Sequence, residues 1–269
     1  MNNVPERPEP ESNLAALTPV SSAPGVFGWP LIVVRLAALL VTCVICVACY
    51  YALQPVTRRN PVPPFFLHAV AVIAGIRLRT RGPRPARGEK RIFLANHVSW
   101  MDIPGLAGAS GCAFVAHDGL TAIGTLRWLC EMNNTVFVAR HDRRSVAHQV
   151  ERVRTALTNA GSLTLFPEGT TSDGTTLLTF KSSLLAAVDT GSDTIPIQPV
   201  WLDYGPRTHE LAWVGEEPGL TNVLRILARW RPVKLTVHFL PALTCDQRGS
   251  RKTIALAARS AILAAMQAA

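Results

Sequence analysis

Acidic residues are the scarce charged class in this chain: 18 Asp and Glu stand against 27 Lys and Arg in 269 residues, a formal net charge of +9. The deficit is local. Residues 54–91 contain Arg58, Arg59, Arg77, Arg79, Arg81, Arg84, Arg87, Lys90 and Arg91 but only one acid, Glu89. A balance of this sign suits nucleic acid, an anionic membrane or an acidic substrate. The chain has no zinc-finger spacing and no RNA-binding aromatic signature, so no nucleic acid is expected as a partner. The basic stretch directly follows an apolar segment, which predicts contact with an anionic membrane surface. Cysteine is also sparse. The six residues form no disulfide framework; Cys43, Cys46 and Cys49 recur inside an apolar run with no polar loop around them, as small buried hydrophobes do. This usage fits a reducing compartment. The chain also lacks a Gly-x-Ser-x-Gly elbow, a Walker A loop and a His-Glu-x-x-His site, so neither a serine acyl-enzyme nor a zinc hydrolase is expected. No metal and no redox cofactor is implied.

What is present divides the chain into three parts. Residues 1–25 carry five prolines and few large apolar side chains, which predicts a disordered tail. Residues 26–85 are expected to form membrane-anchoring helices and a basic linker. Leu36–Leu53 is an uncharged apolar run long enough to cross a bilayer, with Trp29 at one end and Tyr50-Tyr51 at the other. The basic residues after it place the C-terminal portion on the cytoplasmic side of a membrane, by the positive-inside rule. Phe65–Ile76 is too short to span and reads as an interfacial or re-entrant helix. A pair of core helices is the alternative for both runs.

Residues 86–269 alternate between strand and helix patterns. Strands are predicted at Ile92–Ala95, Cys112–Ala116, Thr135–Ala139, Ser162–Phe166, Ile195–Leu202 and Lys234–Phe239. Helices are predicted around Val146–Leu157, stopped by Gly161, and over Ile254–Met266. Alternation of this kind predicts an α/β domain with a central sheet. Pro196 and Pro199 predict that their strand lies at a sheet edge or is irregular.

Four stretches are candidates for chemistry. Asn96-His97-Val98-Ser99-Trp100-Met101-Asp102 places an imidazole and a carboxylate five positions apart. On one continuous helix they would diverge by roughly 140°, so they meet only if the chain bends, with a strand ending near Asn96 and a helix starting near Asp102. The carboxylate then holds the imidazole in one tautomer, as a general base requires. A helix-capping Asp beside an ordinary loop histidine is the alternative. Thr135–Arg140 is a strand that delivers an arginine at its end, suited to phosphate. Phe166-Pro167-Glu168-Gly169-Thr170-Thr171-Ser172 is a strand end followed by a hydroxyl-rich loop that can cradle an anion, or an ordinary turn. Lys181 is a further candidate cation. His97, Arg140 and Glu168 all fall just past strand ends, where open α/β sheets bind ligands.

Taken in order, these blocks resemble those of the lysophospholipid (glycerophospholipid) acyltransferase family, which includes the 1-acylglycerol-3-phosphate acyltransferases. Asn96–Asp102 resembles Asn-His-x4-Asp, Phe137–Arg140 resembles Phe-Val-x-Arg, Phe166–Thr170 resembles Phe-Pro-Glu-Gly-Thr, and Ile195–Val200 resembles an apolar Pro-containing strand. The resemblance covers about residues 60 to 240. Asn134 departs from it, standing where a Gly is common, and so does His117, where a Lys is common. Thr171–Gly174, Phe180–Ser183 and Gln198 resemble more closely the bacterial lyso-ornithine lipid acyltransferases. The resemblance implies a glycerolipid acyltransferase-like sheet flanked by helices, with membrane-associated helices at its N-terminus. It implies transfer of a fatty acyl group from acyl carrier protein or acyl-CoA to a lysolipid hydroxyl at a bacterial inner membrane. His97 and Asp102 would be catalytic. Asn96, Arg140, Glu168, Gly169, Thr170 and Lys181 would bind substrate. A non-catalytic lipid-binding protein and a lipid esterase are the competing readings.

Overall fold

The structure, a computed structural model, describes residues 28–57, 59–86, 89–117, 124–138, 146–187 and 195–269. The expected tail over residues 1–25 and the candidate Arg140 lie outside these residues.

The chain runs α1 (Gly28–Leu53), α2 (Val62–Ile73), β1 (Ile76–Arg81), β2 (Arg91–Ala95), α3 (Asp102–Ser110), β3 (Ala113–His117), α4 (Gly124–Met132), β4 (Val136–Val138), α5 (Val146–Ala160), β5 (Ser162–Leu165), β6 (Ile197–Asp203), α6 (Gly219–Leu227), β7 (Val233–Phe239) and α7 (Arg251–Gln267). The strands form one sheet in the order β1-β7-β6-β2-β5-β3-β4. Strand β2 is parallel to both of its neighbours, β5 and β6, whereas β6 and β7 are antiparallel. The inner strands are apolar on both faces because helices cover both. Phe93, Ala95, Val200, Leu202, Leu235 and Val237 enter a core shared with α1, α2, α3 and α6. Ile92, Leu94, Leu163, Ile197 and Trp201 enter a second core with α5 and α7.

Two expectations need correction. Arg77–Arg81, placed in a basic linker by its charge, forms strand β1 together with Ile76, the expected end of the second apolar run, and is paired in register with β7. Its period-2 signal is half hidden, because Ile76 and Leu78 face the core while Arg77, Arg79 and Arg81 are exposed. The Pro199 strand is not an edge. β6 lies between β2 and β7, and regular pairing with β7 begins at Val200. Pro199 still accepts a hydrogen bond from the Leu240 N–H through its carbonyl, and the Leu240 carbonyl, which a Pro199 N–H would otherwise serve, accepts from the Gln198 side-chain amide at 2.7 Å instead.

The departure at Asn134 has a structural reason. Among the described residues it is the only non-glycine with positive φ, at 56°. Asn is one of the few residues that adopts this left-handed turn at modest cost, so it replaces glycine without changing the path into β4.

Helix α1 carries one packed stripe along its length, with Ile32 and Cys46 buried, while Val33, Val34, Leu40, Val41, Val44 and Ile45 are exposed. The Arg35 guanidinium donates to the Leu227 and Arg229 carbonyls at the end of α6. At the other end, the Tyr51 hydroxyl accepts from the Trp128 indole of α4. Helix α2 begins at Val62 and ends at Ile73, short of the expected Ile76, and packs on both α1 and α3. It approaches α3 closely at Gly108, where an added Cβ would stand 3.1 Å from the His68 Cα.

Candidate active site

Strand β2 ends at Ala95 and α3 begins at Asp102, so the chain bends between His97 and its carboxylate as their spacing requires. The His97 Nδ1 lies 2.7 Å from Asp102 Oδ2. Asp102 does not cap its own helix, whose N-cap position is Met101. Its carboxylate folds back instead. Oδ2 also accepts from the Val98 and Ser99 N–H groups, at 2.6 and 2.9 Å, and Oδ1 accepts from the Tyr204 hydroxyl at 2.6 Å. Four donors surround a side chain that is 0% exposed, which compensates a buried charge. A carboxylate that only accepts requires the hydrogen on His97 Nδ1, so the neutral ring presents an unprotonated Nε2. The imidazole remains 19% exposed. Its ring stacks on Phe166, with centroids 4.1 Å apart and 15° between planes. The arrangement is that of an oriented general base open at one edge.

The second block holds the first in place. Glu168 is 1% exposed, and Oε1 accepts from the His97 N–H at 2.8 Å while Oε2 accepts from the Leu178 N–H at 3.2 Å. The His97 carbonyl accepts from the Ser172 N–H at 2.7 Å and from its hydroxyl at 3.1 Å. Thr171 donates its hydroxyl to the Trp213 carbonyl, and the Trp213 N–H donates to Val98 O at 3.0 Å. From α7, Arg259 donates to the Leu177 and Leu178 carbonyls, which secures the segment that lies over Glu168.

A family model described as "Acyltransferase" matches residues 77–203. A lyso-ornithine lipid O-acyltransferase of Rhodobacter capsulatus is 32% identical over 76% of this chain and 75% of its own length. The chain belongs to the acyltransferase family. A 1-acyl-sn-glycerol-3-phosphate acyltransferase of Neisseria gonorrhoeae is 27% identical over 69% of this chain and 72% of its own. The crystal structure of a 1-acyl-sn-glycerophosphate acyltransferase from Thermotoga maritima shares the fold, with a TM-score of 0.66 at 21% identity, covering 90% of this chain and 95% of that one.

In this acyltransferase the expected site residues fall into two groups. Asn96 and Glu168 point inward. The Asn96 side chain accepts from the Leu202 N–H at 2.7 Å and donates to the Leu202 carbonyl at 3.2 Å, so it joins β2 to β6. Both side chains are committed to the protein's own backbone. Gly169, Thr170 and Lys181 form a rim instead. Thr170 and Lys181 are exposed. Gly169 has a φ of 72°, and an added Cβ would stand 3.5 Å from the Lys181 ammonium and 3.1 Å from Leu184. The glycine therefore serves both the turn and the close approach of the lysine.

The parts that three residues play escaped sequence reasoning. Phe166 is the platform for the imidazole, although its block draws attention to Glu168. Ser172 grips the His97 carbonyl. Tyr204 lies 102 positions from Asp102 in the chain, and no local pattern connects them. Burial, with the Asp102 charge beside it, raises the Tyr204 phenol well above its usual range, so it remains a donor. Tyr204→Phe should lower stability by about 2 kcal/mol, the usual value of a hydrogen bond to a charged group. It should also slow transfer, because Tyr204 helps to fix the carboxylate that orients His97. An unchanged kcat would restrict Tyr204 to a structural part.

Burial is the largest influence on Glu168 and raises its carboxyl to about 7 from 4.5. The His97 and Leu178 N–H groups and Arg259 pull the other way. The shift makes neutral Glu168 the form favoured by folding. Its contribution is complete below pH 4.5 and is lost as the pH rises through about 7. The stability advantage of the wild type over Glu168→Gln should therefore shrink by about 3 kcal/mol between these limits. Thermal unfolding in detergent across that range reads the difference, and a constant gap between the two proteins would contradict it.

Proposed function

We propose that this acyltransferase moves a fatty acyl group from a thioester donor, acyl carrier protein or acyl-CoA, to the hydroxyl of a membrane lysolipid. Lyso-ornithine lipid is the first acceptor to test and 1-acyl-sn-glycerol-3-phosphate the second, in line with the names of the relatives. The observation that carries this reading is the 2.7 Å contact of His97 Nδ1 with a fully buried Asp102, which leaves Nε2 free to take a proton. Nε2 removes the proton of the acceptor hydroxyl. The hydroxyl oxygen attacks the thioester carbonyl, and the carbon–sulfur bond breaks as the new ester forms. The imidazolium then returns its proton to the departing thiolate. Asp102 stabilises the imidazolium throughout. Lys181 and the Gly169–Thr170 rim offer charge and hydrogen bonds to the head group, and Arg140 joins them by its place in the resemblance.

The anchor follows the same reading. Helix α1 is about 39 Å long at 1.5 Å per residue, and it is tied to the end of α6 through Arg35 and to α4 through Tyr51. A helix held at two points about 24 Å apart lies along the protein. Its outer apolar face then sinks into one leaflet, on the cytoplasmic side of a bacterial inner membrane, without carrying the chain across. The acceptor's acyl chain can remain in lipid while its hydroxyl reaches His97.

Membranes containing the full-length protein, incubated with labelled acyl carrier protein thioester or acyl-CoA and a panel of lysolipids, test the activity by mass spectrometry. New diacyl lipid is the expected product. Free fatty acid alone would make the protein an esterase, and no turnover at all would leave it a lipid-binding protein.

A further inference from the structure

Strand β1 turns Ile76 and Leu78 into the core, and Arg77, Arg79 and Arg81 stand exposed on the opposite face of the sheet. In register with them on β7, Arg77 lies beside Lys234, Arg79 beside Thr236 and Arg81 beside His238. Lys234 is also exposed. Among the described residues, none of these four cations forms an ion pair. On the adjacent β6, Asp203 lies opposite Thr236, and its carboxylate is 3.6 Å from the His238 ring.

By charge alone, these arginines suit an anionic membrane. The fold turns them away from one. Helix α1, with its apolar outer face, packs on the other side of the sheet, together with α2, α3 and α6. Packed layers are separated by about 8–10 Å, so a bilayer against α1 is on the order of 15 Å or more from the arginine face. That is well beyond the Debye length of about 8 Å at physiological salt. The lipid surface would be screened, and a soluble partner would not.

The spacing of the charges indicates the kind of partner. Alternate residues on a strand are about 6.6 Å apart, and side chains four apart on a helix recur about every 6 Å. An acidic helix laid along β1 can therefore pair with Arg77, Arg79 and Arg81 in succession, where a small anion would meet one or two. The Arg77–Lys234 end is also the active-site end of the sheet, since β7 is antiparallel to β6 and β1 follows β7. β1 is three strands from β2, about 14 Å at 4.8 Å per strand. A thioester on a flexible arm bridges that distance.

We propose that Arg77, Arg79, Arg81 and Lys234 form the docking surface for a soluble acidic protein that carries the acyl thioester. The proposal rests on the thioester-donor reading above. Fluorescence anisotropy with labelled acyl carrier protein, added to the full-length protein in detergent, measures docking without turnover. The wild type should bind, more weakly as salt rises. The triple variant Arg77→Glu, Arg79→Glu, Arg81→Glu should raise Kd by about tenfold or more, with the triple Arg→Gln variant between the two. In assays, KM for the carrier-borne donor should rise while kcat and the acyl-CoA kinetics stay unchanged. Equal Kd values would overturn the proposal. So would an equal rise in KM for both donors, which marks a phosphate site, or an effect confined to binding of anionic vesicles, which marks a lipid surface. If the wild type uses neither thioester, the transferase reading falls and anisotropy still decides the docking. Matching unfolding temperatures of the variants establish that the fold is kept.

Discussion

Replacing His97 with alanine is expected to lower acyl transfer by about 10³-fold, within the range usual for a general base. The fold should survive. His97 is anchored through its backbone, by Glu168 on the N–H and Ser172 on the carbonyl, and neither contact needs the imidazole. What is removed is the ring that stacks on Phe166 and that the proposed step uses as its proton acceptor. Membrane partition should be unchanged, because the apolar face of α1 is elsewhere. Product formation by mass spectrometry and flotation with lipid vesicles read the two expectations separately. Turnover at the wild-type rate would remove His97 from the chemistry.

Asp102→Asn is the sharper experiment, because the hydrogen bonds around the side chain can all be kept. The amide oxygen can occupy the place of Oδ2 and still accept from His97 Nδ1 and from the Val98 and Ser99 N–H groups. The amide nitrogen then takes the place of Oδ1 and donates to the Tyr204 oxygen, which reverses one bond. Only the charge is lost. The imidazolium formed during transfer loses its stabilising partner in a fully buried setting, and kcat should fall by about 10²- to 10³-fold. Circular dichroism and unfolding temperature should change little. A variant with the wild-type kcat would refute the pairing, and a variant that fails to fold would show that the charge serves the bend itself.

Much of this site is legible in the order of residues. The five-residue separation of His97 and Asp102 demands a bend, and the apolar run before it supplies a strand end. Those are local facts of spacing and hydropathy, and they reappear in the fold as β2, a turn and α3. The Gly161 stop, the α5 and α7 helices and six of the strands are legible for the same reason. Glu168 shows where local reading ends. Its block predicts a polar loop, and a polar loop suggests side chains that face a ligand. The carboxylate instead accepts from the His97 and Leu178 N–H groups in the interior, and only the packing of the Leu177–Leu178 segment under Arg259 decides that direction.

By itself, then, the sequence determined six of the strands, the helices α5 and α7, the long apolar run of α1, the bend and the family, because each is carried by short stretches of neighbouring residues. Tertiary structure decided the rest. The sheet order brings β6 beside β2, and with it Tyr204 onto Asp102 and Leu202 onto Asn96. It places Pro199 inside the sheet, where the Gln198 side chain supplies the donor that the proline lacks. It sets the arginines of β1 on the face of the sheet opposite α1, although in the chain they follow the apolar segments directly. Each of these outcomes depends on which distant strand lies alongside, and local composition does not contain that information.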